Sequence, residues 1–415
     1  MKASVITLGC KVNEYESQSI MQQLKGAGYE IYEGLVPADV YVINTCAVTN
    51  TGERKSRQVM SKIEKINPNA KIIVCGCAVQ NNPASFLNNK NVIALTGNYG
   101  KDTILDFINK GNKDLPELDH VNYHEMMRPL ETRTRQFIKI QDGCNYFCSY
   151  CIIPYLRGRS RSRDLKEIIA EIKQIQAPEI VLTGINMSDY KIDGKPALKT
   201  VIQEVDKLNK RFRISSLECL VIDDEMLEVL SKCKNFCPHF HLSLQSACNE
   251  TLKRMNRHYT IEEFKDIVKK IKSKFPSAFI ATDLIVGFKG ETDQEFENTY
   301  KNLEEIGFDF MHIFPYSERS GTAASKMGGD VEKCVVKARE KRLQELNNKF
   351  IKNCYEKNLN STHSVLVEVV EDNNSFGYTD NYIYTRINKK LEVGSVVDVK
   401  LTQILPDGMI GEIKE

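Results

Sequence analysis

The sequence predicts a multidomain α/β protein with an N-terminal doubly wound parallel sheet, a central partial (βα)6 TIM-like barrel and a small C-terminal β-barrel. Three observations carry this. Short apolar runs alternate with helical patterns through residues 1–125. A strand-then-helix unit then repeats six times between 130 and 325. After residue 360 the pattern switches to apolar–polar alternation at period two. Strands separated by helices favour parallel pairing, whereas closely spaced alternating strands favour an antiparallel barrel. The expected domains are 1–125, 130–355 with its trailing helix, and 357–415.

A chain of 415 residues accommodates two or three cores. Hydrophobic residues at 41% and charged residues at 27% describe ordinary soluble composition. The N-terminus reads directly into VITL, so no signal peptide is expected, and no apolar run is long enough to span a bilayer. Thirteen cysteines without an export signal point to a reducing, cytoplasmic setting and to metal or cluster ligation. A net charge of +2 excludes bulk attraction to polyanions and leaves local patches open.

In the first domain Ser4–Thr7, Val40–Asn44 and Ile72–Val74 read as strands, and Ser17–Lys25 and Glu53–Lys65 as helices. Cys10, Cys46 and Cys77 each follow one of these strands. Loops beyond the carboxyl ends of parallel strands share one edge of the sheet, so the three thiols could meet as cluster ligands. Taken singly, each could be a small buried hydrophobe, but the repeated placement favours a second three-Cys cluster. Cys75, at a strand end, is assigned to packing.

The central strands are Phe137–Gln141, Ile180–Thr183, Arg213–Ser216, Phe240–Leu244, Phe279–Asp283 and Phe310–Phe314. Asp164 with Glu167, and Thr260 with Glu263, have capping-box spacing ahead of amphipathic helices. Six units are too few to close an eight-stranded barrel, so a curved, partly open one is expected, with its chemistry at the strand carboxyl ends. Thr183, Gly184, Asn186, Ser216, Glu218 and Gln245 gather at those ends as a lining for cofactor and substrate. A long helix fills 331–359. Ser364–Val370, Tyr382–Thr385, Ser395–Leu401 and Met409–Ile413 are the C-terminal strands, in the style of small RNA-binding barrels, although a docking or spacer role fits the same pattern.

The stretch QDGCNYFCSYCIIPYLRGRSRSR, residues 141–163, carries the most specific signal. Cys144, Cys148 and Cys151 form C-x3-C-x2-C with Tyr150 before the third thiol. Zinc normally takes four N/S ligands, and no adjacent Cys or His completes a set. Three thiolates suit a cubane cluster with one open iron. A zinc half-site or coincidence in a Cys-rich chain are the alternatives. Arg157, Arg159, Arg161 and Arg163 alternate just beyond, either as a solvated face or as ligands for RNA phosphates.

This spacing resembles the signature of radical S-adenosylmethionine (SAM) enzymes. TLGCKVNEYES, INTCAVTNTGERKSRQ, VLTGIN, HLSLQSACNETLKRMNRHYT, ATDLIVGFKGETDQEF and HIFPYSERSGTAASKM extend the resemblance to the methylthiotransferase family across nearly the whole chain. The resemblance implies two 4Fe–4S clusters, an auxiliary one on Cys10, Cys46 and Cys77 and a SAM-binding one on Cys144, Cys148 and Cys151, with Tyr150 near the SAM adenine. It also implies a C-terminal TRAM domain. Lys11-Val12-Asn13 and VTNTGERKSRQ are similar to the branch that converts N6-threonylcarbamoyladenosine (t6A) at tRNA position 37 to its 2-methylthio derivative with two SAM molecules. Sister branches act on isopentenyladenosine-37 or on a ribosomal-protein aspartate. The implied partners are the tRNA anticodon loop, an electron donor such as flavodoxin and a sulfide or persulfide source, with no membrane and a monomeric state. Cys75, Cys219 and Lys289 depart from the residues usual in the family.

Overall fold

The computed structural model describes residues 1–117 and 121–414. Residues 118–120 of the expected 1–125 domain and residue 415 of the expected 357–415 domain lie outside the described residues.

The N-terminal sheet has five parallel strands, β1 (Lys2–Thr7), β2 (Glu30–Glu33), β3 (Val40–Thr45), β4 (Lys71–Gly76) and β5 (Val92–Thr96), in the order β2-β1-β3-β4-β5. This doubly wound order reverses beside β1, where such sheets open a crevice at their carboxyl ends. Both faces are covered. Val5, Val40, Val42, Ile73 and Ala94 pack on one side, and Tyr41, Ile43, Ile72, Val74 and Leu95 on the other. The expected three strands are present. β2 and β5 are not among the expected strands; EIYE is a half-exposed edge with no continuous apolar run.

The central domain carries six parallel strands: β6 (Arg135–Asp142), β8 (Glu179–Gly184), β11 (Arg211–Ile214), β12 (His239–Gln245), β13 (Phe279–Val286) and β14 (Phe310–Pro315). A two-residue β7 (Arg161–Ser162) pairs antiparallel with the end of β6, and a small hairpin joins β9 (Lys191–Ile192) to β10 (Lys195–Pro196). The β6–β8–β11 and β12–β13–β14 sheets meet through single bridges at Phe212–Phe236 and Leu217–Leu242. Ile138, Ile140, Ile180, Leu182, Leu242 and Leu244 face the helix layer in one continuous core, so the intervening residues of these strands face the lumen. Thr260 and Glu263 form the expected capping box, as do Thr292 and Glu295. Asp164 instead caps Lys166 N at 2.7 Å without a reciprocal bond, which corrects the expected box with Glu167.

The helix Lys333–Asn358 leads to a closed barrel of β15 (Thr362–Glu371), β16 (Asn374–Thr379), β17 (Tyr384–Ile387), β18 (Val396–Leu405) and β19 (Gly408–Ile413). β16 is not among the expected strands. A tight reversal at Asp372, with φ of 52°, lets the strand restart at once. This barrel docks beneath the amino ends of the central strands. Arg213 donates to the backbone oxygens of Thr379 and Asp380, both at 2.7 Å, and His239 stacks on Tyr382 with centroids 4.2 Å apart.

The N-terminal domain covers the barrel's open side. The helix Lys11–Gly26 lies along β6, with Gln136 donating to Gln18 at 2.7 Å. On the far side Arg319, after β14, pairs with Glu53 at 2.7 Å. First and last strands are thereby bridged by one domain.

Candidate active site between two thiol trios

The loop after β6 presents Cys144, Cys148 and Cys151 at the carboxyl end of the barrel. Gly143 adopts φ of +71°, and a Cβ there would lie 2.0 Å from the Arg159 carbonyl oxygen, so only glycine permits this turn. The three thiols are close enough for charge on one to act on the others. Burial pushes Cys144 up to about 11 and Cys151 to about 12. The bare Cys144 and Cys151 thiols therefore stay protonated at neutral pH, and a metal would have to displace those protons. Polar hydrogens aim at the sulfurs. Arg257 Nη1 donates to Cys148 Sγ at 3.2 Å, Asn186 Nδ2 to Cys144 Sγ at 3.7 Å and Tyr146 N to Cys144 Sγ at 3.4 Å. Donors onto sulfur are what an iron–sulfur cluster uses to tune its potential, so the residues fit such a group.

The second trio assembles from three strand ends. Cys10 caps the helix Lys11–Gly26 after β1, Cys46 follows β3 and Cys77 opens a short helix after β4. Cys10 and Cys46 both feel Cys77, and Cys46 feels Cys10. Burial raises Cys10 and pushes Cys46 up to about 11. Gly9, at φ of +110°, leaves room for Cys46, whose Sγ would sit 3.0 Å from any Cβ there. Cys75 points to the opposite face of the sheet, among Val42, Ile73 and Ala94, whereas Cys77 packs on the other face. Burial pushes Cys75 up to about 12.

Between the trios lies a buried charge hub. Glu16 receives Arg157 and Lys139 at 2.8 Å each and Lys101 at 2.5 Å. Burial opposes ionisation of Glu16, but the three cations outweigh it and hold its carboxyl well below the usual range. Arg157 also donates to Asn13 at 2.8 Å and to Asp142 at 3.1 Å. Asn98 adds a second link, accepting from Cys77 Sγ at 3.4 Å and donating to the Leu156 oxygen at 2.9 Å.

The expected lining residues divide. Asn186 and Glu218 approach the Cys144–Cys151 loop, Glu218 through Arg257 at 3.1 Å. Gly184 lies against Gln141 and Met187, and Thr183 is buried, taking a 3.3 Å bond from Ser215. Gln245 ends β12 in left-handed backbone, φ 70°. Tyr150 packs edge-on against Phe288, centroids 6.4 Å apart. Ser216 lies mid-lumen, 3.0 Å from His241 Nδ1. There His241, Asp283 and His312 bring their polar atoms within 4.8 Å of one another, and His241 Nε2 is 3.2 Å from Asp283 Oδ1.

The four alternating arginines do not share a face. Arg157 and Arg163 are 1% and 4% exposed, paired with Glu16 and Glu171 respectively, and Arg161 is buried beside Asp142 and Tyr99. Buried against carboxylates, these three are not presented to RNA phosphates, which corrects that expectation. Arg159 is exposed, over the Phe147 ring at 4.5 Å. Sequence reasoning missed Arg257, which follows a helix with no spacing cue. It also passed over His241, although HFHLSLQ alternates polar and apolar residues as a lumen strand should.

An open six-stranded barrel with C-x3-C-x2-C on its first loop defines a radical SAM enzyme, and the Radical SAM superfamily model matches residues 138–303. The chain is 40% identical to the threonylcarbamoyladenosine tRNA methylthiotransferase MtaB of Bacillus subtilis, over 95% of this chain and 92% of that protein. It belongs to the radical SAM tRNA methylthiotransferase family, whose members use SAM and 4Fe–4S clusters, two clusters in the MtaB enzymes. MtaB of Chlamydia pneumoniae is 37% identical over 99% of this chain and 97% of that protein. The tRNA-2-methylthio-N(6)-dimethylallyladenosine synthase of Clostridium novyi is 33% identical over 99% and 96%. Residues 2–97 match the model described as Uncharacterized protein family UPF0004. Among solved structures, the radical SAM methyltransferase TsrM of Kitasatospora setae shares the fold at TM-score 0.56 and 13% identity, over 76% of this chain and 75% of that one. No helix among the described residues is long and apolar enough to cross a membrane.

Proposed function

We propose that this enzyme methylthiolates carbon 2 of t6A at position 37 of tRNA, using two SAM molecules per turnover. Cys144, Cys148 and Cys151 would hold the SAM-binding cluster, and Cys10, Cys46 and Cys77 the auxiliary one. The observation that carries this reading is the convergence of two thiol trios on either side of the Glu16–Arg157 hub. Carbon 2 of adenine has neither an acidic proton nor a leaving group, so acid–base catalysis has little purchase on it. When bound, the clusters and SAM supply a 5′-deoxyadenosyl radical and a methylthio donor.

The protein's own part is positional. Arg257 and Asn186 orient the sulfurs of Cys148 and Cys144. The Glu16–Arg157 network fixes the spacing between the trios. The N-terminal domain closes the barrel's open side and keeps water from the reacting atoms. The resemblance of VTNTGERKSRQ and the MtaB-named relatives favour t6A over isopentenyladenosine. The substrate base is taken in splayed from the anticodon loop, as single-stranded loops allow. Thirteen free cysteines suit a reducing cytoplasm, and a low-potential carrier such as flavodoxin and a sulfide or persulfide source would serve as partners.

Mass spectrometry of tRNA nucleosides from cells lacking the protein tests this. The 2-methylthio derivative of t6A should vanish and t6A accumulate. Loss of the isopentenyl derivative instead would overturn the substrate assignment.

A further inference from the structure

A cavity of about 790 Å³ opens at the amino ends of the barrel strands, between residues 131–134, residues 176–178 and Val393–Gly394 of the C-terminal barrel. Most of its cations already have partners. Arg213 pairs with Glu179 at 2.7 Å, Arg135 with Glu368 at 2.5 Å and Arg133 with Glu14 at 2.7 Å. Lys11 differs. It opens the helix Lys11–Gly26 directly after Cys10, and its side chain is exposed into the cavity. Among the described residues no carboxylate lies within 4.0 Å of its amine. Arg133, Arg135 and Arg213 line the same cavity. An ammonium that faces a cavity alongside other cations is placed to take an anion from outside the chain.

We propose that Lys11 binds the carboxylate of the N6-threonylcarbamoyl arm of the substrate. The proposal rests on the t6A reading. Phe137, Val181 and Tyr382 supply an apolar and aromatic wall for the remainder of the arm. Because Lys11 is bonded to Cys10, an arm anchored here keeps its base beside the N-terminal trio. An RNA phosphate would satisfy the same ammonium, and the comparison of acid with carboxamide below separates the two.

The test uses the reconstituted holoenzyme and three anticodon stem-loop RNAs that differ only at residue 37, carrying t6A, its carboxamide or isopentenyladenosine. The wild type should favour t6A over the carboxamide by about tenfold to a hundredfold in kcat/KM, the usual effect of one charged hydrogen bond. Lys11→Met should erase that ratio and Lys11→Arg restore part of it. Equal wild-type rates on acid and carboxamide overturn the proposal and leave the t6A reading standing. A Lys11→Met enzyme slowed alike on both RNAs overturns it in favour of a phosphate contact. Preference for the isopentenyladenosine RNA removes the t6A reading and this proposal together. The wild-type comparison needs no variant, so it can overturn the proposal whether or not Lys11→Met folds, and Lys11→Arg, which keeps the charge, assigns a surviving preference to this position.

Discussion

Arg157 Nη1 lies 2.8 Å from Glu16 Oε1, and both side chains are 1% exposed. One residue belongs to the short helix after the Cys144–Cys151 loop and the other to the helix capped by Cys10, so a single buried ion pair joins the supports of both trios. Removing one partner strands the other charge in the interior. Arg157→Met should therefore lower unfolding free energy by about 3–5 kcal/mol, read as a shift of the urea midpoint. A midpoint unmoved from wild type would mean that the hub does not carry the domain interface.

The hub also makes stability depend on acid. Glu16 and Asp142 both have folded pKa values held down by Arg157 and lysine partners. A depressed folded carboxyl contributes stability that is complete above its unfolded value of about 4, and lost as pH falls through the folded one. Urea unfolding followed by circular dichroism should thus weaken between neutral pH and the acid range. The loss should be smaller in Glu16→Gln, which lacks one of the two titrating groups.

The trios make separable predictions. Cys144→Ala should abolish reductive SAM cleavage. Cys10→Ala should keep cleavage and give no methylthio product. Cys75→Ala should retain all the iron of the wild type, because Cys75 packs on the face of the sheet opposite Cys77. Iron per chain and 5′-deoxyadenosine yield are the readouts. Loss of iron with Cys75 alone would move that thiol into the site.

Much of this was legible in the residues, and the failures have physical reasons. Five barrel strands were visible because each is a compact apolar run ahead of a helix, whereas the third, expected at Arg213–Ser216, lies at Arg211–Ile214, where arginines break the apolar signal. The three separated cysteines could be grouped because strand carboxyl ends share an edge. The arginines of 157–163 could not be read correctly, since an alternating basic run looks the same whether it faces water or buried acids. The acids beside its buried members, Glu16, Asp142 and Glu171, lie up to 141 residues away in sequence. His241 and Asp283 were likewise lost among strand residues, because only barrel curvature makes them neighbours.

Arg257 offers a spectroscopic test. Its guanidinium donates to Cys148 Sγ at 3.2 Å while held by Glu218 and the Ser243 oxygen. A cation hydrogen-bonded to a ligand sulfur favours the reduced, more negative state of a cluster. Arg257→Met should make the midpoint potential of the SAM-binding cluster more negative in an EPR-monitored redox titration, and slow SAM cleavage at fixed reductant potential. An unchanged potential would confine Arg257 to bracing Glu218.

The C-terminal barrel sits at the end of the strands opposite the Cys144–Cys151 loop, and this separation predicts separable losses. Its anchors are Arg213 on the Thr379 and Asp380 oxygens, Arg135 on Glu368 and His239 against Tyr382. It also flanks the mouth of the 790 Å³ cavity through Val393 and Gly394. A tRNA reaching the lumen by that mouth would have to pass along this barrel. Deleting residues 360–415 should therefore weaken tRNA binding by at least about tenfold at moderate salt, with a shallower salt dependence as phosphate contacts are lost. SAM cleavage by the dithionite-reduced enzyme without RNA should persist, because β6 and its cysteine loop keep their support from Glu16 and Arg157. Filter binding across a salt series, paired with 5′-deoxyadenosine yield, separates the two. Unchanged tRNA affinity in the truncated protein would assign RNA recognition to the other two domains.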